Sequence, residues 1–316
     1  GKPVEIVVLQ PNIDPYSEKY TLSNRETITL LLRLTQEEIS KNTHFVFTPE
    51  TVISQEVNNL NDIFDSKETD SFRSFLKRYP QLNWVIGVSI FQVINDKDKI
   101  TPQSNYNPYQ DYWFNDYNSA FLLNSSKEIN FYHKSKLVVG VENMPFQSIL
   151  KPILGDIMID LGGTVAVKTT QKMPTVFISK EGEKVAPVIC YESVYGEYIT
   201  KYVKQGAQLL GVLTNDAWWG NTQGHKQLLS YTRLRAIETR KSIARSANTG
   251  TSAFINQRGN IIKQLAYKKQ GSLRETILAN DKITVYVRYG DYIARISAFI
   301  GLGILLTSFL KKRSEV

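Results

Sequence analysis

The stretch Val185–Tyr198, VAPVICYESVYGEY, constrains the fold most, because it joins an apolar run to the only cysteine of the chain. Val185, Val188 and Ile189 predict a buried strand that ends on Cys190, and small and polar residues follow at once. A strand that delivers a thiol to the start of a helix suits a nucleophile, since the unpaired N–H groups there favour a thiolate and can bind an oxyanion. A lone cysteine is also common as a small buried apolar residue, so both interpretations stay open at this point.

Composition excludes several kinds of protein. The chain has 316 residues, 42% of them hydrophobic, and can bury the core of one large domain or two ordinary ones. One cysteine excludes a disulfide scaffold and a cysteine-based zinc site, and the scattered His44, His133 and His225 lack paired metal spacing, so we expect no metal and no cofactor. The net charge of +8 would suit nucleic acid or an anionic membrane. The basic residues are dispersed and no nucleic-acid-binding motif is present, so we expect no nucleic acid partner.

Apolar runs and helical periodicities alternate along the chain, which predicts an α/β layered domain. Predicted strands lie at Val4–Leu9, Phe45–Thr48, Trp84–Phe91, Ser119–Leu123, Ile129–His133, Val185–Cys190, Leu209–Leu213 and Ser242–Ala247, with a hairpin at Thr251–Leu265. Predicted helices lie at Arg25–Lys41, Ser71–Arg78, after the cysteine, and at His225–Arg240. The polar and aromatic stretch Thr101–Asn118 predicts a surface excursion.

The C-terminal stretch Tyr292–Leu310 is long and apolar enough to predict a transmembrane helix, with Arg295, its only charge, reaching back to the interface. Basic residues 311–313 follow, which predicts a cytoplasmic C-terminus and a large domain on the other side. A buried core helix is the alternative. We therefore divide the chain into a domain at 1–290 and a membrane helix with a basic tail at 291–316. Because the sequence opens on Gly1, we also expect a trimmed piece of a longer protein.

Residues 140–172 interrupt the alternation with apolar residues at helical spacing, broken by Pro152 and Gly155. This pattern predicts a mobile apolar arm that serves as a lid or touches a membrane, with Ile149, Leu150 and Leu154 among its apolar residues. A loop helix packed on the core fits the pattern equally well.

Three predicted strands end next to groups that can perform acyl transfer: Glu50, Lys134 and Cys190. A thiol needs a base to take its proton, and a carboxylate can do so. A carbonyl oxygen under attack needs positive charge or N–H donors, and an ammonium can supply it. Together these residues form a complete acyl-transfer set without histidine.

Several motifs resemble those of the nitrilase, or carbon–nitrogen hydrolase, superfamily: TPE at 48–50, HKSKLVVGVE at 133–142 and ICYES at 189–193. LTNDAWWG at 213–220, the run at 233–259 and the C-terminal apolar segment further resemble one branch, the apolipoprotein N-acyltransferases. The resemblance extends from Val4 to Leu310.

This resemblance implies a nitrilase-like αββα sandwich with a C-terminal transmembrane helix. It implies that Glu50 is the general base, Lys134 the oxyanion stabiliser and Cys190 the nucleophile. By motif position, Glu142, Tyr191 and Glu192 would support the site. Tyr20 is the residue nearest to the position at which members of the family commonly have a tryptophan. Trp218 and Trp219 either line the acyl channel or pack as core.

The activity that the resemblance implies is an N-acyltransferase reaction of bacterial lipoprotein biosynthesis. The cysteine takes an acyl chain from a membrane phospholipid as a thioester and passes it to the α-amine of a diacylglyceryl-cysteine at the N-terminus of an apolipoprotein. The implied location is the bacterial inner membrane, with the catalytic domain on the periplasmic side. Two alternatives remain: an amidase that hydrolyses a small amide, and a non-catalytic membrane-anchored binding domain in which Cys190 is structural.

Overall fold

Two β-sheets pack face to face in the computed structural model, which describes residues 1–19, 21–54, 59–60, 67–126, 130–139, 142 and 167–314, without the side chains of 67–68 and 309–314. The strands are β1 (Lys2–Gln10), β2 (Thr43–Phe47), β3 (Asn83–Ile94), β4 (Asn105–Asn107), β5 (Tyr112–Leu123), β6 (Asn130–His133), β7 (Phe177–Ile178), β8 (Lys184–Ile189), β9 (Leu209–Thr214), β10 (Ser242–Ala247), β11 (Ala253–Ile255), β12 (Ile261–Gln264) and β13 (Gly271–Ala279). The helices are α1 (Asn24–Glu38), α2 (Lys67–Arg78), α3 (Gly196–Lys204), α4 (Gln223–Thr239), α5 (Val285–Tyr289) and α6 (Tyr292–Ser314).

The first sheet has the order β13-β1-β2-β3-β5-β4, with β6 also paired to β5, and the second has the order β12-β11-β10-β9-β8-β7. The central strands β1, β2 and β3 run parallel, as do β8, β9 and β10. Antiparallel strands complete each sheet, among them β13 beside β1 and β11 beside β10. The predicted α/β class is confirmed.

Strand alternation separates two cores. In β1, Val4, Ile6 and Val8 face the second sheet, whereas Val7 and Leu9 face the helices α1 and α2. This follows from the two-residue period of a strand, which sends successive side chains to opposite faces. On the far side, α3 and α4 pack against the second sheet through apolar residues that include Tyr198, Ile199, Tyr202 and Ala236. The layers are therefore helix, sheet, sheet and helix, as the resemblance implied.

Local signals fix the helix boundaries close to their predicted positions. The Ser23 hydroxyl accepts from the backbone N–H of Glu26 at 3.3 Å, and the Glu26 carboxylate accepts from the backbone N–H of Ser23 at 2.9 Å. This reciprocal capping satisfies two N–H groups that have no partner inside the helix, so α1 begins there.

The prediction of a surface excursion at Thr101–Asn118 holds for residues 101–111, which are exposed or half-buried, but not for the rest of the stretch. Tyr112–Asn118 belongs to β5 and pairs in antiparallel register with the end of β3. Cross-strand aromatic contacts stabilise this extension, such as Phe91 with Phe114 at a ring-centroid distance of 6.5 Å. They outweigh the local preference of Asn115 and Asn118 for turns, whereas Pro102 and Pro108 do lie in turns before the strand.

The C-terminal stretch forms the helix α6, as predicted, and its residues up to 308 are exposed. Phe299 is 79% exposed and Ile293 is 64% exposed, so the alternative of a buried core helix is wrong. Within the described residues, no helix combines the length and the apolar character needed to cross a bilayer. The predicted membrane crossing is therefore not confirmed. Most of the predicted arm at 140–172, including Ile149, Leu150 and Leu154, lies outside the described residues, as does Tyr20.

The two sheets approach each other closely where Gly211 of β9 faces Phe47 of β2. A Cβ at Gly211 would lie 2.0 Å from Cε1 of Phe47, so only glycine permits this approach. We expect Gly211→Ala to lower the free energy of unfolding by about 1–3 kcal/mol, because the aromatic ring must move and the sheets must separate. Urea denaturation measures this change.

The matched control is Gly271→Ala in β13, where a Cβ would make only an ordinary contact with Leu265 at 3.6 Å. This control should change stability by less than about 0.5 kcal/mol. Equal denaturation midpoints for Gly211→Ala and the parent protein would contradict the sheet packing described above.

Candidate active site

Cys190 begins a tight 3-10 turn, Cys190–Val194, directly after β8. Its φ angle is +48°, a backbone conformation that side chains with a Cβ rarely adopt. The Ser193 hydroxyl donates to the carbonyl of Cys190 at 2.8 Å and closes the turn. The thiol residue is buried, with 8% exposure, and is held in a strained position of the kind that clusters at functional sites.

Glu192 connects this turn to the segment that carries Lys134. One carboxylate oxygen accepts from the backbone N–H of Ile189 at 2.8 Å, and the other accepts from the backbone N–H of Ser135 at 2.7 Å and from the hydroxyl of Tyr132. Burial raises the pKa of Glu192 to about 7, although these hydrogen bonds favour the charged form. Glu192 therefore fixes the distance between two of the predicted site residues.

Lys134 lies between two carboxylates. Its Nζ is 2.8 Å from Oε1 of Glu50 and 2.9 Å from Oε2 of Glu142, and the lysine is only 1% exposed. Burial opposes the ammonium, but Glu142 and Glu50 raise the pKa of Lys134 well above its usual value. The lysine therefore stays charged in a place where an isolated charge would be unstable.

Two asparagines hold the carboxylates in place. Asn118 Nδ2 donates to Glu50 at 2.8 Å and to Glu142 at 3.0 Å, and the backbone N–H of Asn215 donates to Glu50 Oε2 at 3.1 Å. Burial acts to raise the pKa of Glu50, but Lys134 and these donors lower it overall. Glu50 is thus an ionised carboxylate in its resting state.

The Cys190 thiol lies close enough to Glu50 and Lys134 for both charges to act on its pKa, which brings the three predicted groups into one site. Burial, and then the charge of Glu50, raise the pKa of Cys190 far above that of a free thiol. The start of a helical turn was expected to favour the thiolate. The resting group is instead a neutral thiol beside a base, because burial and carboxylates outweigh the backbone N–H groups.

Lys19 and Thr51 form another side of the site. Lys19 Nζ donates to Thr51 Oγ1 at 2.8 Å and lies 5.8 Å from the ring centroid of Trp218. Thr51 follows Glu50 directly and has a φ of +44°, which is unusual for a β-branched residue. Burial lowers the pKa of Lys19 to about 8, while Glu50 acts to raise it.

The remaining predicted residues differ in their placement. Trp218 borders Lys19 and packs edge-on against Tyr16 at 5.3 Å, whereas Trp219 is 40% exposed and covers the start of α4. Tyr191 packs against the core between the sheets. His133 precedes Lys134 in the chain, and burial lowers the pKa of its imidazole to about 4. This imidazole is therefore neutral near pH 7 and makes a poor general base.

Sequence reasoning missed several residues that surround the site: Thr51, Asn118, Asn215 and the buried ion pair of Arg245 with Asp216, which is 2.8 Å long. The sequence signal that could have revealed Asn118 was a polar side chain directly before the apolar run of a strand. In the described residues, no three His, Cys, Asp or Glu side chains are grouped as metal ligands.

Comparisons with known proteins agree with this geometry. The family model of the carbon-nitrogen hydrolases matches residues 6–281. An apolipoprotein N-acyltransferase of Chlorobaculum tepidum is 26% identical over 98% of this chain and 58% of its own length, and one of Nitrosomonas europaea is 34% identical over 61% of this chain and 37% of its own length. The chain thus spans little more than half the length of the first of these relatives and less of the second.

Solved structures show the same fold. A mutant of the Nesterenkonia AN1 amidase from the nitrilase superfamily matches 93% of this chain and 96% of its own, with a TM-score of 0.57 and 16% identity. A Saccharomyces cerevisiae member of branch 10 of the nitrilase superfamily matches 87% of this chain and 90% of its own, with a TM-score of 0.54 and 14% identity. At such identities the likeness concerns the fold alone.

Removal of the Glu50 charge should make the thiol more acidic. Because the Glu50 carboxylate raises the pKa of Cys190, Glu50→Gln should lower that pKa and leave Lys134 free to stabilise the thiolate. We expect the pH profile of iodoacetamide alkylation at Cys190 to move to lower pH by about one unit or more. Glu181→Gln, at an exposed position, serves as the control. A profile that moves to higher pH would contradict this electrostatic arrangement.

The buried carboxyl of Glu192 should make stability depend on pH. Its pKa is about 7 in the folded protein against 4.5 ordinarily, so the folded state binds the proton more tightly and stability falls as pH rises from 4.5 to 7. A glutamine at position 192 does not titrate, so Glu192→Gln lacks this pH dependence. The loss in free energy of unfolding relative to the parent should therefore be larger at pH 5 than at pH 7.5, by about 1–3 kcal/mol. Urea midpoints at both pH values measure this. A difference that grows toward pH 7.5 would refute it.

Proposed function

The chain belongs to the carbon–nitrogen hydrolase family, and from this membership we propose that it is an N-acyltransferase that moves a fatty acyl chain from a membrane phospholipid to the N-terminal diacylglyceryl-cysteine of an apolipoprotein. The observation that carries the proposal is the buried ion pair of Glu50 with Lys134 beside the Cys190 thiol. Similarity to a named apolipoprotein N-acyltransferase over 98% of the chain supports the choice of reaction.

In the first step, Glu50 takes the proton of the Cys190 thiol as Sγ attacks the ester carbonyl carbon of the phospholipid. Two of the hydrogens of the Lys134 ammonium point to Glu50 and Glu142, and the third stabilises the oxyanion. The tetrahedral intermediate collapses with cleavage of the ester C–O bond. The lysophospholipid leaves with the proton from Glu50, and a thioester remains on Cys190.

In the second step, the α-amine of the acceptor attacks the thioester carbonyl and Glu50 takes a proton from the nitrogen. An amide bond forms, the C–S bond breaks, and Cys190 recovers its proton. Water must stay away from the thioester between the two steps. We assign this exclusion to the apolar segment 140–172, and within it to Ile149, Leu150 and Leu154 as the residues that would meet the acyl chain.

The remaining site residues act through the catalytic groups or contact the substrate. Glu142 holds the Lys134 ammonium in place, and its own carboxylate is fixed by the backbone N–H of Val138 at 2.8 Å. Glu192 holds the cysteine turn against the lysine segment, and Tyr191 packs behind it. Trp218, with Trp219 and Tyr20, is assigned to the entry of the acyl donor.

The proposed location is the bacterial inner membrane with the domain 1–290 on the periplasmic side. The exposed apolar side chains of α6 support contact between this helix and lipid, and the basic residues 311–313 support a cytoplasmic end for the segment 291–316. The partners are then the phospholipid donor, the apolipoprotein acceptor and the bilayer. The amidase alternative is not favoured, because the curated relatives that this chain resembles are named apolipoprotein N-acyltransferases.

A thioester on Cys190 is the direct test. The full chain is incubated in vesicles of phosphatidylethanolamine and phosphatidylglycerol, and the cysteine-containing peptide is analysed by mass spectrometry. We expect a fatty acyl adduct that disappears on addition of a diacylglyceryl lipopeptide with a free α-amine and persists with its N-acetylated form.

Three variants assign the roles. Cys190→Ser should form no thioester, and Glu50→Gln and Lys134→Met should each slow adduct formation by roughly 10²–10³-fold. Adduct loss in water without lipopeptide would support the amidase instead. Absence of any adduct on the parent protein in lipid would refute the acyltransferase proposal.

A further inference from the structure

Arg295 has an unexpected partner. It is the only charged residue between Tyr292 and Leu310, and the sequence predicts that it reaches alone toward a membrane interface. Instead, its Nη2 donates to the Glu197 carboxylate of α3, and its Nη1 donates to the carbonyl of Tyr289 at 3.1 Å. The only charge of the apolar segment is thus neutralised by the body of the domain.

Glu197 and Gly290 complete the contact. The Glu197 oxygen that binds Arg295 also accepts from the backbone N–H of Asp291 at 3.0 Å. Gly290, between α5 and α6, has a φ of +72°, and a Cβ there would lie 2.6 Å from Glu197 Oε1 and 2.9 Å from Arg295 Nη2. The chain therefore turns at a glycine so that one carboxylate can bind both the backbone and the side chain of α6. We call Glu197, Gly290 and Arg295 the joint.

The domain side of the joint is firmly packed. Thr284 caps α5 through a 3.1 Å bond from the backbone N–H of Val287, and its hydroxyl donates to the carbonyl of Glu238 in α4 at 2.6 Å. Val287 is fully buried. Gly196, at the start of α3, lies so close to Tyr286 that a Cβ would be 2.4 Å from its hydroxyl oxygen. The short helix α5 thus cannot turn independently of α3.

The joint is also close to the nucleophile along the chain. Tyr195 donates its backbone N–H to the carbonyl of Glu192 at 3.0 Å, which links the Cys190–Val194 turn to α3 without a break. Glu197 lies in the first turn of α3. The bond between Arg295 and Glu197 therefore connects α6, through α3, to the turn that carries the thiol.

An exposed ion pair of this kind adds little to stability in water. Arg295 and Glu197 have side chains that are 62% and 52% exposed. Their arrangement with Gly290 instead restricts the direction of α6 relative to α3. The Glu197 carboxylate binds Arg295 and the backbone N–H of Asp291, and the Arg295 guanidinium also binds the carbonyl of Tyr289. Beyond the joint, α6 presents apolar side chains all round, such as Ile293, Phe299 and Leu306, which suit lipid as their partner.

We propose that the Glu197–Gly290–Arg295 joint holds the lipid-contacting helix α6 at a fixed angle to the cysteine turn, and so positions the thiol relative to the surface from which its acyl donor comes. This rests on the proposed function for the identity of the donor. Glu197 and Arg295 are positioning residues, since neither contacts the reacting groups.

Activity on two donors tests the proposal in full-length protein reconstituted in phosphatidylethanolamine and phosphatidylglycerol vesicles. Glu197→Gln and Arg295→Gln should each slow acylation of Cys190 by the vesicle phospholipid about 10- to 100-fold, because misplacement by an ångström is costly. Acylation by a soluble short-chain p-nitrophenyl ester should stay within about twofold, since the chemical groups are intact. The charge exchange Glu197→Arg with Arg295→Glu should restore part of the vesicle rate, because it rebuilds the ion pair but not the bonds from Asp291 and to Tyr289. Arg288→Gln, on the exposed side of α5, is the control and should change neither rate.

A distance measurement tests the joint without catalysis. Spin labels on Cys190 and on Ser308→Cys in vesicles should give one narrow distance distribution in the parent, broad ones in the single variants and an intermediate one in the charge exchange. Narrow distributions in both single variants, or a vesicle rate equal to that of the parent, would overturn the proposal. If the parent forms no thioester with either donor, the proposed function fails, and the distances alone then decide the joint.

Discussion

A charged lysine buried between two glutamates determines the arrangement of the site. Removing an ammonium from water costs several kcal/mol unless oppositely charged and hydrogen-bonding groups replace the lost solvent. Lys134 has Glu50 and Glu142 within 2.9 Å, and Asn118 donates to both carboxylates. Once this set is satisfied, Glu50 has a fixed position beside Cys190. The thiol can then stay neutral at rest, because an ionised carboxylate that can take its proton is already close to it.

The two sheets contribute unequal parts of the chemistry. Glu50 and Lys134 follow β2 and β6 of the first sheet, whereas Cys190 follows β8 of the second. Three contacts hold these parts together: Glu192 bonds to Ser135, the backbone N–H of Asn215 bonds to Glu50, and Gly211 lets the sheets approach at Phe47. The close packing between sheets thus sets the distance between nucleophile and base as well as the stability of the fold.

Much of this could be predicted from sequence, since apolar runs mark strands and the polar residues after them mark one edge of a sheet. The α/β class and the strand ends at Glu50, Lys134 and Cys190 were identified in this way, whereas the family was identified from the resemblance of several motifs. The length of β5 was missed because its stability comes from cross-strand aromatic pairs that a local pattern does not contain. The same applies to Asn118, to Lys19 at Thr51 and to Arg295 at Glu197, which are far apart along the chain. The neutral thiol was missed because burial, not the nearby helix start, decides its ionisation.

The division of the site between two sheets has a consequence for biogenesis. During synthesis the first sheet gains its glutamate and lysine well before the strands around the cysteine are complete, and β13, which closes the first sheet beside β1, comes last. Neither half alone brings a base to a thiol. A nascent or partly denatured chain therefore lacks a thiol paired with a base, and the complete site arises only when the two sheets dock.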